Sequence, residues 1–183
     1  MTSRIIILNG VGSAGKSSIA RALRDMTAEP FLHVAMDAFL DMLPASYENH
    51  PDGFTFETIA QNGEPMVAIK SGKVVHRALR GMRQAIAALA AEGNNLIVDD
   101  VMLGAEMDEY KSLLAGFHVS FVGVFAPLAI LEERERQRQD RMIGLARWQY
   151  DRVHAGKTYD LEIDTSTATP KACALRIKEA LGL

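Results

Sequence analysis

The eight residues Gly10-Val11-Gly12-Ser13-Ala14-Gly15-Lys16-Ser17 constrain this chain more than any other stretch, because only Asn9 separates them from the apolar run Ile5-Ile6-Ile7-Leu8. A buried strand runs into a glycine-rich turn, and Ile19, Ala20, Ala22 and Leu23 behind it carry helical spacing. The pattern G-x-x-x-x-G-K-S is that of a phosphate-binding loop. Glycines let successive backbone N–H groups turn inward, and the helix start adds partial positive charge to the same hollow. In such a loop Lys16 reaches the β- and γ-phosphates of a nucleotide, while the Ser17 hydroxyl suits a Mg²⁺ ion. Gly10, Val11, Gly12, Ser13, Ala14, Gly15, Lys16, Ser17 and the neighbouring Ser18 are the candidate nucleotide contacts.

A rival owner of this loop has to be weighed. Gly10-x-Gly12-x-x-Gly15 also satisfies the dinucleotide fingerprint, and Asp37 stands at about the spacing of its ribose-binding acid. Lys16 and Ser17 speak against it, since a dinucleotide loop has no use for a lysine and a hydroxyl at the helix start.

The chain has 183 residues, 48% of them hydrophobic, which suits one domain over 1–183 with a substantial core. A formal net charge of −3 gives no sign of a nucleic-acid partner. The single cysteine, Cys173, excludes a disulfide framework and reads as a small buried hydrophobe. No run approaches the ~20 apolar residues of a membrane span, and the N-terminus enters a strand without a leader pattern. The expectation is a soluble cytoplasmic protein with no membrane partner; whether it forms a homo-oligomer stays open.

Strands and helices alternate along the chain. Strands are expected at 4–8, 31–36, 95–98, 119–125 and 160–163, and helices at 16–26, 38–43, 74–91, 106–114, 127–138, 145–153 and 170–181. Residues 45–72 break the rhythm with Pro51-Asp52-Gly53, Asn62-Gly63 and Ser71-Gly72 as turn signals, and 54–59 with 66–69 reads as a hairpin. The result is an α/β fold: a five-stranded parallel sheet with helices on both faces, an excursion at 45–72 and a small helical lid at about 134–147. Ligands bind outside the carboxyl ends of such strands. The loop, Asp37 and Asp99-Asp100 all fall at those ends.

Three groups of residues there carry chemistry. Asp37 suits a general base for an acceptor hydroxyl, and equally an N-cap for a helix beginning at Ala38. Asp99-Asp100 follows an apolar strand as a metal-binding acid does; strand alternation sends the two to opposite sides, and counting cannot decide which meets the ion. Arg134, Arg138 and Arg141 share a helical face and could neutralise a transferring phosphoryl group. Glu132, Glu133, Glu135 and Asp140 lie among them, so a solvated ion-pair helix remains the alternative, and it is the preferred one for Arg136. His33, His118 and His154 lack metal-ligand spacing and read as packing or surface residues, as do Trp148 and Tyr150. Phe39, Leu40, Met42, Leu43, Phe54 and Phe56 suit either an apolar acceptor pocket or the core.

These residues carry a resemblance. Arg4 to Gly10 with Ser13 to Ser17, Asp37 closing a strand, Ile97-Val98-Asp99-Asp100-Val101-Met102-Leu103-Gly104, Val122-Gly123-Val124, the Arg134/Arg138/Arg141 pattern and Val153-His154 through Thr165 resemble chloramphenicol phosphotransferase. The resemblance implies a kinase that uses ATP and Mg²⁺ to phosphorylate a hydroxyl of a small molecule. It implies Asp37 as base, Lys16, Arg138 and Arg141 around the transferred group, Arg134 on the nucleotide and Ser17 with Asp99 or Asp100 on the metal. Residues 45–75 depart from the family pattern, next to Asp37, so the chemistry carries over better than the acceptor.

Overall fold

The computed structural model describes residues 2–61, 63–138 and 142–183. Its centre is β1 (Arg4–Asn9), in which every other side chain faces the same way. Ile5 and Ile7 enter one core with Val34, Met82, Ile86, Leu96, Val98 and Tyr110; Ile6 and Leu8 enter the other with Ile19, Leu23, Ile97, Val122 and Ile177. A strand apolar on both faces needs helices on both sides.

The other strands of the sheet are β2 (Phe31–Ala35), β5 (Asn95–Asp100), β6 (His118–Phe125) and β7 (Leu161–Asp164), all parallel, in the order β2-β5-β1-β6-β7. The helices are α1 (Lys16–Arg24), α2 (Met36–Leu40), α3 (Lys73–Ala91), α4 (Glu106–Leu113), α5 (Leu128–Gln137), α6 (Leu145–Val153) and α7 (Pro170–Leu181). Side chains of α3 and α4 fill the first core, and those of α1, α5, α6 and α7 the second. No helix among the described residues is long and apolar enough to cross a membrane. The sheet expected from the sequence is therefore the one observed.

The excursion is a second, two-stranded sheet. Strand β3 (Phe54–Gln61) pairs antiparallel with β4 (Glu64–Ser71), from Phe54 opposite Ser71 to Gln61 opposite Glu64. Both strands run longer than the alternating pattern suggests. Met66, Val67 and Ala68 are buried, although a lone hairpin has no core of its own. The docking point is the start of α6: Val67 N–H donates to the Gly144 carbonyl at 3.0 Å. Gly144 has φ +98°, and a Cβ there would stand 3.2 Å from Met66 Cα and Val67 N. Glycine takes that backbone without strain, and any side chain there would press on the β4 backbone.

Two expected boundaries move. Helix α2 starts at Met36 with Ala35 as its N-cap and no side-chain cap bond, so Asp37 lies inside the first turn and does not cap the helix. Helix α5 ends at Gln137, leaving Arg138 as an extended C-cap residue. The helical face expected to unite Arg134 with Arg138 and Arg141 thus stops after Arg134. Arg141 lies outside the described residues.

Candidate active site

The phosphate loop closes on itself before any ligand is considered. Ser13 (φ +66°) and Gly15 (φ +93°) both have left-handed backbones, and Ala14 N–H donates to the Val11 carbonyl at 3.1 Å. Left-handed residues alternating with ordinary ones make an anion-binding nest of N–H groups. Lys16 folds back over it, its Nζ donating to the carbonyls of Gly10 (2.9 Å) and Val11 (3.1 Å). The Val11 side chain points away from this hollow into the core.

Strand alternation separates the two acids at the end of β5. Asp99 shares the face of Ile97, towards α1: Ser17 Oγ donates to its Oδ2 at 2.5 Å, and Lys16 Nζ lies 3.8 Å from its Oδ1. Asp100 shares the face of Leu96 and Val98, towards α4, where Tyr110 O–H donates to its Oδ2 at 2.9 Å and Val101 N–H to its Oδ1 at 2.7 Å. Burial pushes Asp100 up. Burial also raises Asp99, but His33, Lys16 and Ser17 outweigh it and hold that carboxyl below its usual range. Of the two acids left open by the sequence, Asp99 stands with Ser17, while Asp100 on the other face meets Tyr110.

His33, expected from the sequence to serve packing or the surface, lies at the site. It pairs with Ile97 across the strands and therefore faces the Asp99 side. Its Nε2 lies 3.8 Å from Asp99 Oδ2, buried, with no hydrogen-bond partner among the described residues. Period-2 spacing in a short strand gave no means of finding it without the register.

Two clefts meet over the loop, both bordered by Ser13, Gly15, Ser18 and Arg138. The first, of about 540 Å³, lies between α1, α5 and the start of α7, with Arg134, Thr165, Pro170 and Cys173 on its walls. Here Arg134 is held as a fork: Nη1 donates to Thr165 Oγ1 at 3.0 Å and Nη2 to the Thr165 carbonyl at 2.6 Å. Thr165 Oγ1 is itself within hydrogen-bond distance of the Ala14 carbonyl at 3.0 Å, so the arginine is braced against the loop. Cys173 is buried in the core beneath, as expected.

The second cleft, of about 460 Å³, brings Lys16, Ser17, Asp37, Asp99, Arg138 and Gln149 together. Met36, Leu40, Ile69, Val101 and Leu145 make its apolar side. Of the six apolar residues considered for an acceptor pocket, Leu40 lines this cleft; Phe39 packs on the core and Met42 is 70% exposed.

The charged helix α5 divides by face. Arg136 pairs with Glu133 at 2.6 Å on the exposed side, the bland role preferred for it. Glu135 behaves otherwise. It is buried, and its two oxygens accept N–H groups of Gly144 (2.8 Å) and Ala146 (2.7 Å) at the start of α6. From α6, buried Gln149 reaches back so that its Oε1 accepts Gly12 N–H at 2.7 Å. Neither contact is legible in sequence, because the partners lie 9 to 137 positions apart.

Fold and loop together define a P-loop phosphotransferase of the kinase type. The chain belongs to the chloramphenicol phosphotransferase-like protein family, whose family model matches residues 3–182. A protein of Mycobacterium tuberculosis named "putative O-phosphotransferase" is 33% identical over 173 residues, which cover 91% of this chain and 76% of that one. A sugar kinase structure from Janibacter sp. HTCC2649 superposes with a TM-score of 0.69 at 19% identity, over 100% of this chain and 95% of the other. The tunicamycin resistance protein of Deinococcus radiodurans gives 0.63 at 18% identity, over 99% and 96%. At such identities the two structures speak for the fold alone.

Proposed function

We propose that the protein moves the γ-phosphoryl group of ATP to a hydroxyl of a small molecule, with chloramphenicol or a related alcohol the first acceptor to try. The observation that carries this reading is the second cleft, where Lys16, Ser17 and Asp99 stand with Asp37 and Arg138 beside an apolar wall. The donor's phosphates rest on the N–H groups of the loop and its nucleoside in the first cleft beside Arg134. The acceptor hydroxyl oxygen attacks the γ-phosphorus in line, the bond to the β-bridging oxygen breaks, and ADP leaves. Asp37 takes the hydroxyl proton, while Lys16 and Arg138 offset charge on the transferred group. Arg141, outside the described residues, is proposed to share that role on the strength of the resemblance.

Ser17 and Asp99 fit a Mg²⁺ ion. Their oxygens are adjacent at 2.5 Å, and no cluster of three His, Cys, Asp or Glu exists among the described residues. Mg²⁺ takes few protein ligands and keeps water and phosphate oxygens instead, which matches such a sparse donor set. When bound, the ion neutralises the β- and γ-phosphate charge.

A kinase for a different metabolite is the second reading, favoured by Ile69, which the hairpin brings to the acceptor end of the cleft. ADP release with Mg²⁺-ATP across a panel of hydroxylated acceptors, chloramphenicol included, separates the two. Asp37→Asn is expected to keep nucleotide binding and lose turnover by about 10²- to 10⁴-fold; unchanged turnover would falsify the base assignment.

A further inference from the structure

We propose that Gln149 is a ligand of the donor's terminal phosphate, supplied by α6 and oriented by the loop itself. The inference rests on the kinase reading above. Gln149 is 6% exposed and lines the cleft with Lys16 and Ser17. A glutamine amide carries an acceptor oxygen on one side and two N–H donors on the other. Gly12 N–H can only donate, so the 2.7 Å contact assigns the oxygen to it. The two Nε2 donors are then left on the other side of the amide, in a residue that lines the cleft with Lys16 and Ser17.

The position along the loop says which phosphate this is. Lys16, which reaches the β- and γ-phosphates in such loops, rests its Nζ on the carbonyls of Gly10 and Val11. Gly12 is the next residue. Gln149 therefore stands at the strand end of the cradle beside the lysine side chain, whereas the backbone N–H groups at the helix start serve the inner phosphates. Its helix is anchored at the far end, where Gly144 and Ala146 donate to Glu135 and Gly144 accepts from Val67 of the hairpin. A donor placed this way binds a triphosphate and not a diphosphate.

The test compares ADP with a non-hydrolysable ATP analogue by calorimetry in Mg²⁺, for the unaltered protein, Gln149→Met and Gln149→Glu. Loss of a hydrogen bond to a charged group corresponds to about 10- to 100-fold in affinity. Gln149→Met is expected to weaken the analogue by that factor and ADP by less than about threefold. Gln149→Glu keeps an oxygen for Gly12 N–H but replaces the donors with negative charge, so it weakens the analogue at least as much. The Gly12 amide resonance should stay near its original shift in Gln149→Glu and move in Gln149→Met. Equal loss of ADP and analogue, or no loss in either variant, overturns the proposal and leaves Gln149 a brace for the loop. Failure of the unaltered protein to bind either nucleotide overturns the kinase reading itself. Thermal melts check that both variants fold.

Discussion

Glu135→Ala tests how the start of α6 is tied to α5. The carboxylate accepts two backbone N–H groups at 2.8 and 2.7 Å while 3% exposed, at the positive end of α6. Hydrogen bonds to a charged partner contribute about 1.5–3 kcal/mol each, but two sharing one side chain are not additive. Truncation also strands two donors, and removes an anion from a helix start at a further cost of about 0.5 kcal/mol. The expected loss is about 3 kcal/mol for Glu135→Ala, or about 6–12 °C in Tm for a chain of this size. Glu135→Gln should lose about half as much, since its amide keeps one acceptor and turns an NH₂ against the other donor. Urea unfolding measures the loss, and hydrogen exchange at Gly144 and Ala146 should quicken in both variants. A change below about 0.5 kcal/mol for Glu135→Ala, with exchange at those amides unaltered, refutes the reasoning.

Asp99→Asn and Asp100→Asn should separate cleanly when nucleotide binding is titrated with Mg²⁺. The first should weaken the Mg²⁺-dependent part about tenfold or more, and the second should leave it within about twofold, because its carboxyl faces Tyr110. His154 gives a pH dependence. Burial, then Lys16 and Lys157, lower it from 6.5 to about 4, and its neutral Nδ1 lies 2.8 Å from Tyr159 O–H. The unfolded chain takes this proton below pH 6.5 and the folded one only near pH 4, so stability falls as pH drops through that window and is untouched above it. With the ring half exposed, solvent screening leaves about 1 kcal/mol between pH 7 and pH 5. His154→Gln, which keeps an acceptor for Tyr159, should remove that part of the slope in urea titrations at the two pH values.

The sheet was legible because its signals are local. Each strand is an apolar run that ends at a turn, and each helix carries its own period, so Ile5–Leu8 and the stretch from Lys16 to Leu23 announce themselves. What failed was local as well. Asp37 looked like a cap, yet the helix begins one residue before it, with Ala35 as its N-cap. The arginine face assumed that α5 continued, whereas α5 ends at Gln137 with Arg138 extended behind it. His33 and Gln149 gave no signal, since what marks each is a partner 66 or 137 positions away.

By itself the sequence determined the phosphate loop, since glycine spacing, lysine and hydroxyl are covalent facts that act over eight residues. It determined the parallel sheet too, because strands apolar on both faces have to be covered on both sides. Tertiary structure decided which acid stands beside Ser17, which arginine is braced on Thr165, and which amide reaches Gly12. Those are choices of face and register, and a strand has two faces that only its packed neighbours can tell apart.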